Sequence, residues 1–196
     1  LWLVKTGSGP TMKRRQFIAG MGLFTLATPY VIASNQGLEL SQRLLGSNVL
    51  LMRHALAPGF GDPKNFEIGN CATQRNLNDE GRRQAQQIGS MLTLNGLDLD
   101  AVYSSQWCRC LETAELMDVG LVQAFAGLNS FFQSHAPKKQ TLELLREKLD
   151  GLPKDKLTLM VTHQVVIQSV TSLSVQSGGI VAYDTTSKTS QRLVVS

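Results

Sequence analysis

Val49-Leu50-Leu51-Met52-Arg53-His54 and Leu157-Thr158-Leu159-Met160-Val161-Thr162-His163 each run a short apolar stretch into a histidine. Runs this short, rich in Val, Leu and Met, suit strands buried on both faces, as in a parallel sheet. The segments between them carry helical spacing. Asn78-Asp79-Glu80 supplies an N-cap and an acidic first turn, and Ala85, Ile88, Gly89 and Leu92 then recur on one face. Further strands are expected at Leu99 to Tyr103, around Leu121 to Phe125, at Gly179 to Tyr183 and at Arg192 to Val195. Helices are expected from near Gln106, from Thr141, and after His163 through Val166, Val170 and Leu173. This alternation predicts an α/β fold, a three-layer α/β/α sandwich with a mostly parallel central sheet.

At 196 residues the chain suits one domain with a sizeable core. The net charge of +4 is unevenly spread. Lys5, Lys13, Arg14 and Arg15 lie in the first 33 residues, which hold no Asp or Glu, and this leaves 15 basic against 15 acidic residues in the rest. A neutral body lacks the electrostatic footprint for nucleic acid, so that partner class is set aside.

The basic start, the weakly apolar run Ile18 to Ile32 and the small-residue end at Ala33 read as an export signal. The run is too short to span a ~30 Å hydrocarbon core comfortably, so a cleaved signal is favoured over a retained anchor. Arg14-Arg15-Gln16-Phe17-Ile18 resembles the twin-arginine motif, with Lys13 where Ser or Thr is usual. The expected organisation is a signal over 1–33, cleaved after Ala33, with residues 1–11 ahead of a start at Met12. A catalytic domain over 34–196 would then act in the periplasm or cell envelope, with no stable membrane insertion. No Cys precedes residue 71, which argues against a lipoprotein anchor. In an oxidising compartment Cys71, Cys108 and Cys110 suggest one disulfide and one free thiol. Cys108 and Cys110 face roughly opposite sides of a helix, so at most one of them reaches Cys71.

In open α/β sheets, ligands bind at the carboxyl ends of the strands. His54 and His163 both lie there, and a third strand ends at Ser104-Ser105 with Arg109 in the first turn of the next helix. If the three strands are neighbours, Arg53, His54, Arg109 and His163 meet in one crevice. That set suits a phosphate. An arginine fork matches its oxygens bidentately, and each such charge-assisted hydrogen bond is worth roughly 1.5–3 kcal/mol. A neutral imidazole can attack phosphorus, and a second, protonated one can stabilise the transferring group.

Leu51-Met52-Arg53-His54-Ala55 resembles the Arg-His-Gly signature of the histidine phosphatase (phosphoglycerate mutase-like) superfamily, with Ala55 in place of Gly. Asn76 to Ala85 resembles its second block, with Gly81 and the Gln84-Ala85 pair. Tyr103-Ser104-Ser105 through Arg109 to Glu115 resembles the third, and Val161-Thr162-His163 the fourth. Together the blocks cover roughly residues 47 to 183 in order. The resemblance implies His54 as the phosphorylated nucleophile, with Arg53, Arg109 and His163 around the phosphate. It implies no metal and no organic cofactor, and a small phosphorylated substrate as partner. Oligomeric state is not legible.

The pattern departs in its acid. Between Asp118 and Glu143 there is no Asp or Glu, where many members of the family carry a glutamate general acid. Asp62 and Glu67, in the loop after the nucleophile, are the substitutes. For Asp62 a turn role in Gly61-Asp62-Pro63 weighs equally. Gln164 follows His163 where the acid phosphatase branch has an Asp, so that branch is disfavoured, and Gln164 is expected at the substrate instead. His135 matches no block and is expected at the surface. The leading expectation is an exported phosphomonoesterase working through phosphohistidine. The alternatives are a phosphohistidine or phosphoramidate phosphatase, or a module that binds a phosphorylated ligand without turnover.

Overall fold

The computed structural model describes residues 46–193 together with Leu40 and Leu44. The signal expected over 1–33 lies outside the described residues. Six strands form one sheet: β1 (Val49–Arg53), β2 (Leu99–Ser104), β3 (Val122–Ala124), β4 (Leu157–Thr162), β5 (Ile180–Tyr183) and β6 (Ser190–Leu193), in the order β3-β2-β4-β1-β5-β6. The pairs β3/β2, β2/β4 and β4/β1 are parallel, whereas β5 runs antiparallel to β1 and β6 antiparallel to β5. The fold is therefore α/β with a mostly parallel sheet. Four helices cover it: α1 (Asp79–Leu94), α2 (Cys108–Met117), α3 (Lys138–Asp150) and α4 (Gln164–Thr171).

Alternation along β1 divides the interior. Leu50 and Met52 join a core with Ala85, Ile88 and Leu92 of α1 and Ala114 and Met117 of α2. Val49 and Leu51 join a second core with Leu145 and Leu149 of α3 and Val166 and Ile167 of α4. Two cores on opposite faces of one sheet make the three layers expected from the sequence.

The helices begin where local chemistry directs. The Asn78 side chain accepts from the Gly81 amide (2.8 Å), with Asp79 and Glu80 in the first turn of α1. Gly81 has a second duty: a Cβ there would stand 2.0 Å from the Leu56 carbonyl oxygen. Gln84, one turn on, accepts from the Leu56 amide (2.9 Å) and donates to the Ser177 carbonyl (3.0 Å). The second sequence block is thus a support that fixes the chain just after His54. Gly89 lets α1 approach α2 equally closely, since its Cβ would meet the Met117 carbonyl at 1.9 Å.

Candidate functional site

The strand order makes β2, β4 and β1 neighbours, and their carboxyl ends are level. The His54 amide donates to the Thr162 carbonyl (2.9 Å) and the Ser105 amide to the Val161 carbonyl (2.9 Å). His54, His163 and Arg109 consequently meet, and only 3–4% of each is exposed. Arg109, the second residue of α2, is the hub. Its Nε donates to His54 Nε2 (3.2 Å) and its Nη2 approaches His163 Nδ1 (3.5 Å).

A guanidinium can only donate, so both ring nitrogens that face it carry lone pairs. His54 then holds its proton on Nδ1, which donates to the Ala55 carbonyl (2.8 Å). His163 holds its proton on Nε2, which donates to Ser105 Oγ (2.9 Å), and Ser105 in turn donates to Asn129 Oδ1 (3.2 Å). Burial, followed by the charge of Arg109, pushes the His54 pKa down to about 3 and the His163 pKa well below its ordinary value. Both rings are neutral at pH 7. For His54 this suits a nucleophile, with the unprotonated Nε2 as the attacking atom. For His163 it corrects the expectation of a protonated partner: the positive charge of this closed site resides on its arginines.

The largest difference from the sequence reading concerns Asp62. Its two carboxylate oxygens fill the Arg109 fork, Oδ1 from Nη1 (2.7 Å) and Oδ2 from Nη2 (3.1 Å), and both side chains are only 4% exposed. The Trp107 indole donates to Oδ2 (3.1 Å) and the Arg75 amide to Oδ1 (3.1 Å). Burial alone would raise the Asp62 pKa. The hydrogen bonds and charge of Arg109, with the Arg75 amide and the Trp107 indole, outweigh it and hold the carboxyl below its ordinary value. The carboxylate therefore occupies the fork that a phosphate would take.

Arg53 reaches the Val175 carbonyl through Nη1 (3.1 Å), and its buried Nε has no partner among the described residues. Gln164 accepts from the Val175 amide (2.9 Å) and leaves Nε2 buried without a partner among them. Both side chains are thus anchored on Val175 and keep one buried donor without a partner among the described residues. Glu67 stays exposed in a local turn with Asn70 and Thr73, apart from the histidines. Asp79 pairs with Arg82 on the outside of α1. His135 departs from its surface assignment. It is half-buried, its ring lies 4.5 Å from Phe66, and Phe66 stacks on Trp107 at 4.8 Å. Trp107 in turn meets His163 edge-on at 5.2 Å, so an aromatic column leads from His135 to the site.

The cysteines resolve into a Cys71–Cys108 disulfide and a buried free Cys110. The disulfide joins the loop after the nucleophile to the residue before Arg109. Burial raises the Cys110 thiol to about 12, so it remains a protonated packing group beside His163 (3.4 Å). No cluster suited to a metal ion occurs among the described residues, and no helix among them is long and apolar enough to cross a membrane.

Three residues escaped the sequence reading. Asn129 anchors Ser105, and Arg75 and Trp107 both bond Asp62. Arg75 stands immediately before the second block, and that position was the only available signal.

Together, fold and site define an α/β domain with a neutral strand-end histidine set among arginines. The histidine phosphatase superfamily (branch 1) is the family whose pattern this chain carries, matching over residues 49–125. The fourth block, with His163, lies beyond that match, and the sheet brings it alongside.

Solved structures share the fold. The alpha-ribazole phosphatase from Shigella flexneri is 21% identical, with a TM-score of 0.53, covering 75% of this chain and 95% of that one. The protein histidine phosphatase SixA complexed with tungstate is 14% identical, with a TM-score of 0.51, covering 74% and 94%. A functionally characterised open reading frame from Mycobacterium tuberculosis is 19% identical, with a TM-score of 0.52, covering 75% and 95%. At these identities the likeness establishes the fold alone. No curated protein matches the chain.

Burying two neutral histidines makes folding sensitive to pH. Their folded pKa values lie below the unfolded value of 6.5. Their contribution is therefore fully present above that value and is lost as pH falls toward about 3 for His54. Asp62, also lowered, adds a loss only below its ordinary 3.8. Thermal unfolding between pH 8 and pH 4 is expected to give a flat Tm above neutrality and a fall below it. The slope should be shallower in His54→Asn.

Proposed function

We propose that this chain is a phosphatase that hydrolyses a phosphomonoester in the cell envelope through a phosphohistidine on His54. The observation that carries the reading is the neutral Nε2 of His54, oriented by the Nδ1–H bond to Ala55 and facing the Arg109 guanidinium. The substrate phosphate takes the Arg109 fork and is held further by Arg53, and its negative charge favours a proton on His163 Nδ1, which then also donates to it. Gln164, whose Nε2 has no partner among the described residues, is the further candidate donor. His54 Nε2 attacks phosphorus as the bond to the leaving oxygen breaks. Water then attacks the phosphohistidine and releases phosphate and the free imidazole.

Asp62 is the acid of this scheme. A phosphate in the fork displaces its carboxylate and sets a negative charge beside it, which removes the cause of its low pKa and favours protonation. It then gives that proton to the leaving oxygen. The location rests on the basic, apolar N-terminal segment and on the Cys71–Cys108 disulfide, which suits an oxidising compartment. A sugar phosphate or a phosphorylated envelope glycan is the substrate class available there.

A second reading has one observation in its favour. Asp62 is held ionised in this closed state, and a phosphoramidate such as phosphohistidine has a nitrogen leaving group that demands less of an acid. The test is phosphate release and acid-labile phosphoryl-protein formation from phenyl phosphate and from phosphoimidazole. Turnover of phenyl phosphate supports the first reading. Activity on phosphoimidazole alone supports the second, and turnover of neither leaves a binding module. In Asp62→Asn the loss on phenyl phosphate is expected to be about 100-fold and far smaller on 2,4-dinitrophenyl phosphate, whose leaving group needs no proton.

A further inference from the structure

The loop that carries Asp62 is held at several points by one residue, Arg75, beside its other ties. Its Nε donates to the Gly61 carbonyl (2.8 Å) and its Nη1 to the Ala57 carbonyl. Its backbone amide donates to Asp62 Oδ1 (3.1 Å), and its carbonyl accepts from Arg109 Nη1 (3.2 Å). The turn so held contains Gly59 and Gly61 at φ +101° and +67°. Glycines at positive φ allow this turn and leave it many other conformations. A planar fork that satisfies a carbonyl at each end selects one of them, which the point charge of a lysine cannot do. Gln133 adds a bond to the Asp62 amide (3.2 Å), and the Cys71–Cys108 disulfide anchors the far side of the loop.

We propose that Arg75 is the positioning residue of the acid: it fixes the backbone of loop 57–62 over the crevice. Asp62 then leaves the Arg109 fork by side-chain rotation and remains within reach of the leaving oxygen. This assignment rests on the phosphatase reading for its catalytic consequence but not for its structural one. The side-chain bonds of Arg75 to Gly61 and Ala57 are directed at the loop, which distinguishes it from the arginines that would grip phosphate. It acts through Asp62 and not on the phosphoryl group.

The experiment compares wild type, Arg75→Ala, Arg75→Lys, Asp62→Asn and the Arg75→Ala/Asp62→Asn pair. Backbone amide exchange reads the positioning directly. In Arg75→Ala the Asp62 amide should exchange at least about tenfold faster, while sheet amides such as Leu51 and Met160 stay protected. Unchanged exchange at Asp62 overturns the proposal whether or not the protein is a phosphatase. General loss of sheet protection makes Arg75 a global stabiliser and overturns it too.

Kinetics read the consequence. Arg75→Ala should lose kcat on phenyl phosphate by about tenfold or more, with little change on 2,4-dinitrophenyl phosphate, the same split as Asp62→Asn. Arg75→Lys should fall between wild type and Arg75→Ala. The double variant should be no worse than Asp62→Asn, since a lost acid needs no positioning. Equal losses on both substrates, additive losses in the pair, or an inorganic phosphate inhibition constant raised tenfold would make Arg75 a phosphate ligand and overturn the assignment. If wild type turns over neither ester, the phosphatase reading fails alone and the exchange result still decides the role of Arg75.

Discussion

Replacing His54 by alanine is expected to lower phosphate release by about four or more orders of magnitude and to abolish the acid-labile phosphoryl protein. The size of the effect follows from the site. His54 is the buried ring whose unprotonated Nε2 accepts from the guanidinium hub and whose orientation is set by its own chain neighbour. Arg109 and Arg53 would still attract the phosphate, so inorganic phosphate should bind the variant with an affinity changed far less than kcat. Rate and affinity measured together therefore separate loss of the nucleophile from loss of the pocket. Phosphate release from His54→Ala equal to wild type would remove His54 from the mechanism.

Arg109→Ala is the second large effect, and it acts on stability as well as turnover. Arg109 and Asp62 form an ion pair with side chains only 4% exposed, so removing the cation leaves a buried carboxylate without its counter-charge. Breaking a buried pair in this way costs about 3–5 kcal/mol, whereas replacing both partners with apolar groups is often near neutral. Arg109→Met with Asp62→Leu should accordingly recover most of the stability lost in Arg109→Ala and none of the activity. The sign of the pH response is also set. Loss of Arg109 removes the hydrogen bond and charge that do most to lower the Asp62 pKa, so the pKa moves up and the deficit of the single variant should shrink on acidification, as the carboxyl takes up a proton more readily. Urea unfolding of the two variants at pH 7 and pH 5 measures both effects.

The exchange at Asp62 gives the site a simple logic. At rest the fork is filled by an internal anion that pairs Arg109, and burial keeps the two histidines neutral in a nearly closed crevice. Under the proposed mechanism a substrate phosphate would enter by trading places with that anion, and the same act that binds the substrate would prepare the acid. Chloride and other simple anions would have to make the same trade against a bidentate carboxylate that is already hydrogen-bonded by Trp107 and Arg75, which favours a doubly charged, multidentate ligand.

By itself the sequence determined the elements and the candidate site residues at their ends. Buried strands announce themselves by short apolar runs, α1 by its cap, acidic first turn and apolar period, and the histidines by ending two such runs. These signals are local, since strand, turn and cap are set by residues within a few positions of one another. The tertiary structure alone decided what met what. It placed β4 between β1 and β2, so that His54, His163 and Arg109 share one crevice. It also brought Asp62 to Arg109 across 47 residues and Cys71 to Cys108 across 37, and turned His135 from the surface into an aromatic column. In the sequence Asp62 could equally be a turn residue. Its state depends on a guanidinium, an indole and a backbone amide that only chain closure assembles, and burial makes those few contacts decisive.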